Sequence, residues 1–496
     1  KVCWCHSLMN KDSKKKWRTY GMNTTRRDES KKKFYAEVKD ILEKKHRESS
    51  WYMMELMGVE GKEEADRKKA FRIMMNKLTE PYPASRPTMR RWFGINGMAT
   101  PNRAQAYMIS FCLGFSVQRL NHFLQEGIGQ PAAQYNDYRE VIFLYCLDHH
   151  YSYEQALKMI DGYEKSFQTQ TQLIHTHSTN QLMQEFAYHK NSSKEAFMKW
   201  MRENSQFFKG YSLTTLDYLN TYKYMIIDVI REDAKRSLDN LIRETDFATW
   251  IRMKCSAESE KEYQLIEKYI AGARRKKKDV NNDVLEMLHE LNHMVNSKKA
   301  YNSTIIELFS NEVKQSPLPE LTSKHLSDML NTPLQKEREI RTNIALNVLS
   351  DMESKEACPE WIGRFIADYT KDSYYAETVL EAKVWVEKFS KEHHRRCQLI
   401  QREDFLPMIL YVAQKQYQSS IEQKESRYEQ GEALDVFRDM VNSTFAACGM
   451  RKWNPMYELD ALLAACYQED EMFYFGELCD AVNKAQEQVL TAGHAM

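Results

Sequence analysis

Residues that interrupt helices are scarce in this chain, with 16 glycines and 11 prolines among 496 residues. Globular proteins carry about 7% glycine and about 5% proline, roughly twice these shares. The alternation of apolar and polar residues that marks half-buried strands is almost absent, whereas apolar residues recur every three or four positions. We therefore expect long helices and an all-α fold.

Long apolar runs are missing as well. No window reaches the roughly 18 uncharged apolar residues that a membrane-spanning helix needs, and the mean hydropathy is −0.68. The first residues contain no apolar stretch of the signal-peptide type. We expect a soluble protein without membrane contact, located in the cytoplasm.

Sequence templates for nucleotide and acyl chemistry are also lacking. The chain has no GxxxxGKS/T phosphate loop, no GxGxxG fingerprint after a strand and no GxSxG elbow. Ten cysteines are scattered without the pattern of a disulfide framework, which indicates reduced thiols. Without these templates we expect no cofactor. We also expect no metal, because the two groups that could begin a zinc site lack further ligands nearby: Cys3 with Cys5 and His6, and His393 with His394 and Cys397.

The net charge of +1 hides an asymmetry between the two parts of the chain. Residues 1–130 contain 26 basic and 14 acidic residues and have a net charge of +12. Residues 131–496 contain 45 basic and 56 acidic residues and have a net charge of −11. A basic portion indicates a polyanion partner, here double-stranded DNA, and the acidic body indicates a protein partner or a second copy of the chain. The alternative is that the lysines at 14–16 and 31–33 belong to a solvated tail.

Turn residues and composition divide the chain into four parts. Residues 1–32 are polar, basic and without periodicity, which is typical of a disordered arm. Helical periodicity begins near Lys33, and Gly127 and Pro131 mark the end of a first helical module. The proline-containing segment 316–333 marks a second boundary. We expect a basic disordered arm at 1–32, a helical module at 33–130, a helical middle domain at 131–315 and a C-terminal helical domain at 316–496.

Apolar periodicity and capping residues predict the longer helices after residue 130. Most of them open after Ser, Thr or Asp, which are preferred at helix N-caps. No fixed repeat of 30–45 residues relates the segments, so we expect an irregular multi-helix assembly. The predicted helices span residues 138–149, 152–167, 193–208, 213–243, 260–278, 375–393, 404–425, 432–448 and 456–484.

The segment 86–124 is the most informative part of the chain. Its first residues, RPTMRRWFG, predict a short helix whose apolar side packs on the rest of the module through Met89, Trp92 and Phe93. Packing of that side leaves the arginines of this helix available for phosphates and base edges.

Two further helices follow in the same segment. Thr100 and Pro101 provide an N-cap and a first-turn proline for the first of them. The turn at 114–116 leads into the second, with Val117, Leu120 and Leu124 on its apolar side. The expected buried stripe of the first helix consists of Ala104, Met108, Phe111, Cys112 and Leu113.

This arrangement resembles the helix-turn-helix domains of the Cro/C1 repressor type over residues 86–124. In that family a helix with basic residues and a packing tryptophan reads DNA, so the resemblance implies a recognition helix in this segment of a helix-turn-helix-like module. The family also has a full positioning helix and a tight turn before it, where this chain has seven residues between Leu78 and Arg86. The remainder of the chain resembles uncharacterised bacterial all-helical proteins. The expected DNA contacts are Arg86, Thr88, Arg90, Arg91 and Arg103.

Residues 289–293 read HELNH and match the HExxH motif of zinc hydrolases, in which two histidines bind zinc and the glutamate activates water. At about 100° per residue, His289 and His293 lie nearly opposite an apolar stripe and should face solvent. A charged segment, 274–279, precedes this helix instead of a strand of the sheet that such enzymes place beside it. We expect the match to be fortuitous. The apolar stripe consists of Val284, Leu288, Leu291 and Val295.

Three functions are therefore open. The leading hypothesis is a non-enzymatic bacterial DNA-binding regulator or adaptor, in which the module at 33–130 contacts DNA and the acidic helical body binds a protein. The second is a helical scaffold that binds proteins only. The third is a zinc-dependent hydrolase at the HExxH motif. The first hypothesis requires that Arg90 and Arg91 project from an accessible helix.

Overall fold

The computed structural model describes residues 24–166, 179–208, 212–254, 261–275, 281–296, 338, 341–342, 344–392 and 400–492. Within these ranges the structure is helical, with no strand and two isolated β-bridges, Ala357 with Thr378 and Tyr467 with Met472. The predicted all-α fold is confirmed. No helix in this part of the chain has both the length and the apolar character needed to cross a membrane.

The helices are labelled in chain order. A π-helical turn, Phe123–Gly127, continues the fifth helix, a 3-10 turn, Ser205–Phe207, follows the ninth, and residues 344–350 are also helical. The α-helices are α1 (Thr24–Leu56), α2 (Glu64–Lys77), α3 (Arg86–Arg91), α4 (Arg103–Cys112), α5 (Val117–His122), α6 (Tyr138–Asp148), α7 (Tyr153–Ser166), α8 (Thr179–His189), α9 (Lys194–Glu203), α10 (Leu213–Arg243), α11 (Phe247–Lys254), α12 (Glu262–Arg275), α13 (Asn282–Asn296), α14 (Glu360–Tyr369), α15 (Val379–Glu392), α16 (Arg402–Lys424), α17 (Gln430–Ala447), α18 (Glu458–Ala464) and α19 (Phe475–Ala492).

Capping residues set the beginnings of several helices, as the sequence predicts. The side chains of Asp137, Ser193 and Ser212 accept hydrogen bonds from backbone N–H groups in the first turns of α6, α9 and α10. These bonds satisfy donors that the start of a helix leaves unpaired. The bounds of α10 are those predicted.

The first helix begins earlier than predicted. Residues 24–32, assigned above to the disordered arm, form the first turns of α1, and residues 1–23 lie outside the described ranges. Arg27 makes ion pairs with Glu471 at 3.7 Å and with Glu477 at 3.5 Å. Both carboxylates belong to the C-terminal part of the chain. The prediction was wrong here because contacts between distant parts of the chain decide the structure of a segment with weak local preference.

The predicted helix 456–484 is two helices, α18 and α19. Between them the chain turns back on itself, and Phe473 N donates to Cys466 O at 2.7 Å. Gln414 of α16 donates from Nε2 to Phe473 O at 2.8 Å. The prediction of one helix was wrong because a local turn, stabilised further by the distant Gln414, interrupts the helical pattern.

Helix α4 also differs from its prediction. It begins at Arg103, and its N-cap is Asn102, which forms a capping box with Gln105. Thr100 instead places its hydroxyl 2.8 Å from His46 Nδ1 on α1. The side of the helix that faces inward also differs from the predicted one. Ala104 of the predicted stripe is exposed, its other four members are half-buried, and the buried residues are Ala106, Tyr107, Ile109 and Ser110.

Three apolar cores organise the described residues. The N-terminal core joins Met53, Met54 and Met57 of α1 to buried residues between positions 59 and 208. The C-terminal core joins Phe34, Val38 and Leu42 of the same helix to buried residues of 216–294 and 400–485. A third core lies within residues 345–389.

Helix α1 meets the C-terminal helices closely. The rings of Phe34 and Phe473 stack with centroids 4.2 Å apart and planes 3° from parallel. Further along α1, Lys45 Nζ donates to Met456 O at 2.7 Å. The N-terminal and C-terminal cores therefore cross the boundaries between the predicted ranges 33–130, 131–315 and 316–496. Those ranges remain a prediction about units that fold independently.

The π-helical turn packs against the end of α1. The rings of Tyr52 and Phe123 stack with centroids 5.7 Å apart, and the Tyr52 hydroxyl lies 2.6 Å from His122 Nδ1. Gly127 closes this turn, where an added Cβ would lie 2.4 Å from the Phe123 ring and 2.8 Å from the Tyr52 ring. Only a residue without a side chain fits between these two rings.

The substitution Gly127→Ala should therefore lower the free energy of unfolding by about 1–3 kcal/mol, because the new methyl group overpacks the buried Phe123 ring and the half-buried Tyr52 ring. Gly162→Ala in α7 is the matched control, since no atom lies within 4 Å of its added Cβ. Replacing that exposed helical glycine should increase stability by roughly 0.5–1 kcal/mol. Urea denaturation of both variants measures the difference. Equal effects of the two changes would contradict this account of the turn.

Candidate nucleic-acid interface

Helix α3 is the helix that the sequence predicts to contact DNA. Ser85 caps it, because its hydroxyl accepts a hydrogen bond from Thr88 N at 3.4 Å and lies 2.9 Å from the Thr88 hydroxyl. Pro87 follows in the first turn, where a missing N–H leaves no bond unmade. Thr88 was predicted to contact DNA. Its hydroxyl is instead engaged in the start of the helix, and we omit it from the candidate contacts.

The apolar side of α3 packs as predicted. Met89, Trp92 and Phe93 are fully buried in the N-terminal core. The rings of Phe93 and Phe71 of α2 meet edge to face with centroids 6.1 Å apart. A short helix has little stability of its own, so these contacts hold α3 in place.

The arginines of α3 lie on its other sides. Arg86 is exposed, and Arg90 and Arg91 are half-buried. None of the three makes an ion pair or a side-chain hydrogen bond with the described residues. The Nε atom of Arg90 is buried and has no partner. Each guanidinium therefore retains donors for a bound anion.

Helix α2 adds cations that the sequence analysis did not include. Glu64, Lys68 and Arg72 follow one another at intervals of one helical turn, and Lys68 and Arg72 are exposed. Lys68 Nζ lies 2.6 Å from Glu64 Oε1. The hydrogen bond and charge of Lys68 lower the pKa of Glu64, and the charge of Arg90 on α3 lowers it further. The two helices thus bring their charges together at Glu64.

We call Lys68, Arg72, Arg86, Arg90 and Arg91 the basic surface. The four-residue spacing of Lys68 and Arg72 indicates from the sequence that both lie on one side of a helix. The sequence does not indicate that this side lies near α3, because the contact between Phe71 and Phe93 depends on the fold.

Arg103 does not belong to this surface. Its Nε and Nη2 atoms donate to the two carboxylate oxygens of Glu140 at 2.6 and 2.8 Å. Its Nη1 donates to Pro131 O at 2.6 Å, and Nη2 also donates to Ala132 O at 3.1 Å. Since Glu140 is buried, the pair is internal. The predicted DNA contact of Arg103 is wrong because the guanidinium is already occupied by a carboxylate and two carbonyls.

Ionisable groups meet near this internal pair. Burial raises the pKa of Asp137, and the charge of Glu140 raises it further. Burial raises the pKa of Glu403 in α16 to about 7, against the opposing charges of Arg402 and Arg103. Because Arg103 acts on Glu403, the N-terminal core and the first turn of α16 adjoin at these charges.

The HExxH motif lies on α13. His289, Glu290 and His293 are exposed and Leu288 and Leu291 are buried, as the helical spacing predicts. Val284 and Val295 of the predicted stripe are half-buried. His289 Nδ1 lies 2.9 Å from Glu267 Oε2 of α12. Of the charged segment 274–279, Arg274 and Arg275 end α12 and the rest lies outside the described ranges. The interpretation of the motif as fortuitous stays a prediction.

Among the described residues, no group of three or more His, Cys, Asp or Glu side chains is arranged to hold a metal ion. The cysteines in these ranges are free thiols, as predicted. Burial raises the pKa of Cys146 and of Cys479 to about 12, which keeps both protonated and unreactive. The predicted incomplete ligand groups, Cys3 with Cys5 and His6, and His393 with His394 and Cys397, lie outside the described residues.

No family model, curated protein or solved structure matches this chain. A function is therefore inferred from its own residues, and the resemblance of residues 86–124 to Cro/C1-type domains stays a hypothesis.

The substitution Arg103→Met should lower the free energy of unfolding by about 3–5 kcal/mol, because it leaves the buried Glu140 carboxylate without its cation. The matched control is Arg139→Met. Arg139 pairs with Glu164 at 3.0 Å, and both side chains are partly exposed. Loss of such a pair should cost at most about 1 kcal/mol. Urea denaturation compares the two, and equal losses would contradict the internal role of Arg103.

Stability should depend on pH through Glu403. Its carboxyl group is neutral in the folded protein below about pH 7, whereas in the unfolded chain it ionises near its ordinary value of about 4.3. The folded state then holds the extra proton, so this contribution to stability is lost as pH rises. Between about pH 4 and about pH 7.5, the wild type should lose roughly 1–3 kcal/mol relative to Glu403→Gln. Parallel pH profiles of the two proteins in urea denaturation would contradict this assignment.

Proposed function

We propose that this protein is a non-enzymatic DNA-binding regulator or adaptor, which binds double-stranded DNA through the basic surface of α2 and α3. The observation that carries the proposal is the combination of a buried apolar side and unpaired arginines on one short helix. The apolar side fixes α3 to the N-terminal core. The arginines on its other sides have no partner among the described residues.

Phosphate contacts are the main source of the proposed affinity. Helix α3 has six residues and a length of only about 9 Å, so few of its side chains reach base edges in a groove. Arginine and lysine side chains neutralise phosphates and release the counterions bound to DNA. The members of the basic surface from α2 extend this contact beyond the single helix. Arg90 and Arg91 are our candidates for base edges, since guanidinium groups pair with guanine.

Glu64 sets a limit on the charge of this surface. It is a carboxylate at neutral pH, and it pairs with Lys68 in the free protein. A phosphate that approaches Lys68 competes with Glu64 for the ammonium group. The arginines of α3 make no ion pair or hydrogen bond with a carboxylate of the described residues, although Arg90 feels the charge of Glu64, and we therefore assign them the larger share of binding.

The acidic body supports the adaptor part of the proposal. Residues 344–392 carry exposed apolar side chains outside the N- and C-terminal cores, among them Trp361, Tyr375, Leu380 and Val384. Leu380 and Val384 are one turn apart on α15. Exposed apolar groups of this kind favour a protein partner. They also support the second candidate, a helical scaffold that binds proteins and no DNA.

The wild-type protein should retard mixed genomic duplex DNA at low salt, and its affinity should fall steeply as salt is added. Replacing Arg90 and Arg91 together by alanine should weaken binding by at least about 1–3 kcal/mol if either contacts a base edge. Gel retardation measures both results, and circular dichroism shows that the variant is folded.

The matched control is the double variant Arg274→Ala and Arg275→Ala. It removes the same charge from an exposed arginine pair at the end of α12. Its DNA affinity should stay close to that of the wild type. Absence of retardation by the wild type, or equal weakening by both double variants, would leave the scaffold as the better account.

A further inference from the structure

Arg67 is a half-buried basic residue of α2. It directly precedes Lys68 in the sequence, and its charge is the same. In the fold, however, its Nε donates to Lys62 O at 3.2 Å and its Nη1 donates to Gly94 O at 3.2 Å. Lys62 precedes α2 and Gly94 follows α3, so one guanidinium bonds the two ends of this helix pair.

The bond to Gly94 requires space that only glycine leaves. Gly94 has a left-handed backbone with φ of +68°, and an added Cβ would lie 2.9 Å from Arg67 Nη1. One helical turn after Arg67, Phe71 meets Phe93 edge to face. Two neighbouring contacts on one side of α2 thus fix residues 93 and 94 at the end of α3.

We propose that Arg67 is a positioning residue for DNA binding, an inference that rests on the function proposed above. It holds α3 at a fixed place relative to Lys68 and Arg72, and it makes no phosphate contact itself. A duplex presents its phosphates at fixed spacings, and contacts to them determine how a protein is oriented. Cations on two helices bind together only when the helices keep one relative placement.

The salt dependence of binding separates a positioning residue from a contact. A side chain that contacts a phosphate adds about one unit to the slope of log affinity against log salt. A residue that only positions the others sets the fraction of molecules with the binding-competent placement, so its loss lowers the affinity while the bound state keeps its phosphate contacts and the slope stays nearly the same. The adjacent pair Arg67 and Lys68 allows a direct comparison, because both carry one positive charge on α2.

The experiment measures binding of the full chain to a mixed-sequence duplex by fluorescence anisotropy between about 50 and about 200 mM salt. Arg67→Gln should bind at least about fivefold more weakly than the wild type at the lowest salt, with an unchanged slope. Lys68→Gln should lower the slope by about one unit. Arg139→Gln, which changes a half-buried arginine of α6 outside the basic surface, should bind as the wild type does.

Arg67→Lys is the second variant, and it tests whether charge alone is enough. Lysine keeps the charge, but its single ammonium group does not reproduce the planar fork that reaches both carbonyls. This variant should also bind more weakly with an unchanged slope. It preserves the charge balance of α2, so it remains informative if Arg67→Gln fails to fold.

Each other outcome has a definite meaning. A slope reduced by about one unit in both Arg67 variants would make Arg67 a phosphate contact, and full affinity in either would make it a structural residue only. Both results overturn the positioning role while the proposed function stands. Absence of DNA binding by the wild type would overturn the proposed function and this inference with it.

Discussion

One continuous helix belongs to two apolar cores. Helix α1 contributes Phe34, Val38 and Leu42 to the C-terminal core and Met53 and Met54 to the N-terminal core. At a rise of 1.5 Å per residue, these two groups are roughly 20–30 Å apart along the helix axis. An α-helix resists bending, so the last turns of α1 fix the N-terminal core relative to the C-terminal helices. The basic surface is attached to that core and shares its fixed placement.

Buried charge pairs fix the placement of helices in both the N-terminal and the C-terminal part of the structure. Arg103 forms a two-pronged pair with Glu140, and Arg402 forms another with Asp460 at 2.8 Å on both arms. Burial of charges carries a large desolvation cost, so such pairs add little net stability. Each of them nevertheless requires both partners at one distance and orientation. The apolar cores hold the helices together, and the charge pairs restrict how α4, α6, α16 and α18 are arranged.

Local patterns account for much of the fold, and contacts between distant residues account for what they missed. The period of apolar residues was enough to predict that Met89, Trp92 and Phe93 are buried and that the histidines of α13 face solvent. The helical start at Thr24 was missed because the partners of Arg27, Glu471 and Glu477, are near the other end of the chain. Arg103 was misassigned for a similar reason. Nothing in the sequence marks Glu140 as the carboxylate that occupies its guanidinium, and nothing marks the connector carbonyls that complete its hydrogen bonds.

The arginines near α3 show what the fold adds to composition. Arg67 and Arg103 donate hydrogen bonds to backbone carbonyls or a carboxylate, whereas Arg72 and Arg86 are exposed. The fold thus assigns some arginines to hydrogen bonds within the protein and others to the basic surface.

The basic surface consists of arginine and lysine, which stay charged throughout the neutral range. Glu64, the acid beside Lys68 and Arg90, is a carboxylate in that range like any exposed glutamate, and these cations lower its pKa further. The charge that the surface offers to a polyanion is therefore nearly constant with pH, and salt is the variable that controls it. The stability of the protein should depend instead on the half-buried carboxyl group of Glu403, whose pKa burial raises to about 7. Binding and stability thus respond to different solution conditions, because the groups of the basic surface do not titrate near neutrality and Glu403 does.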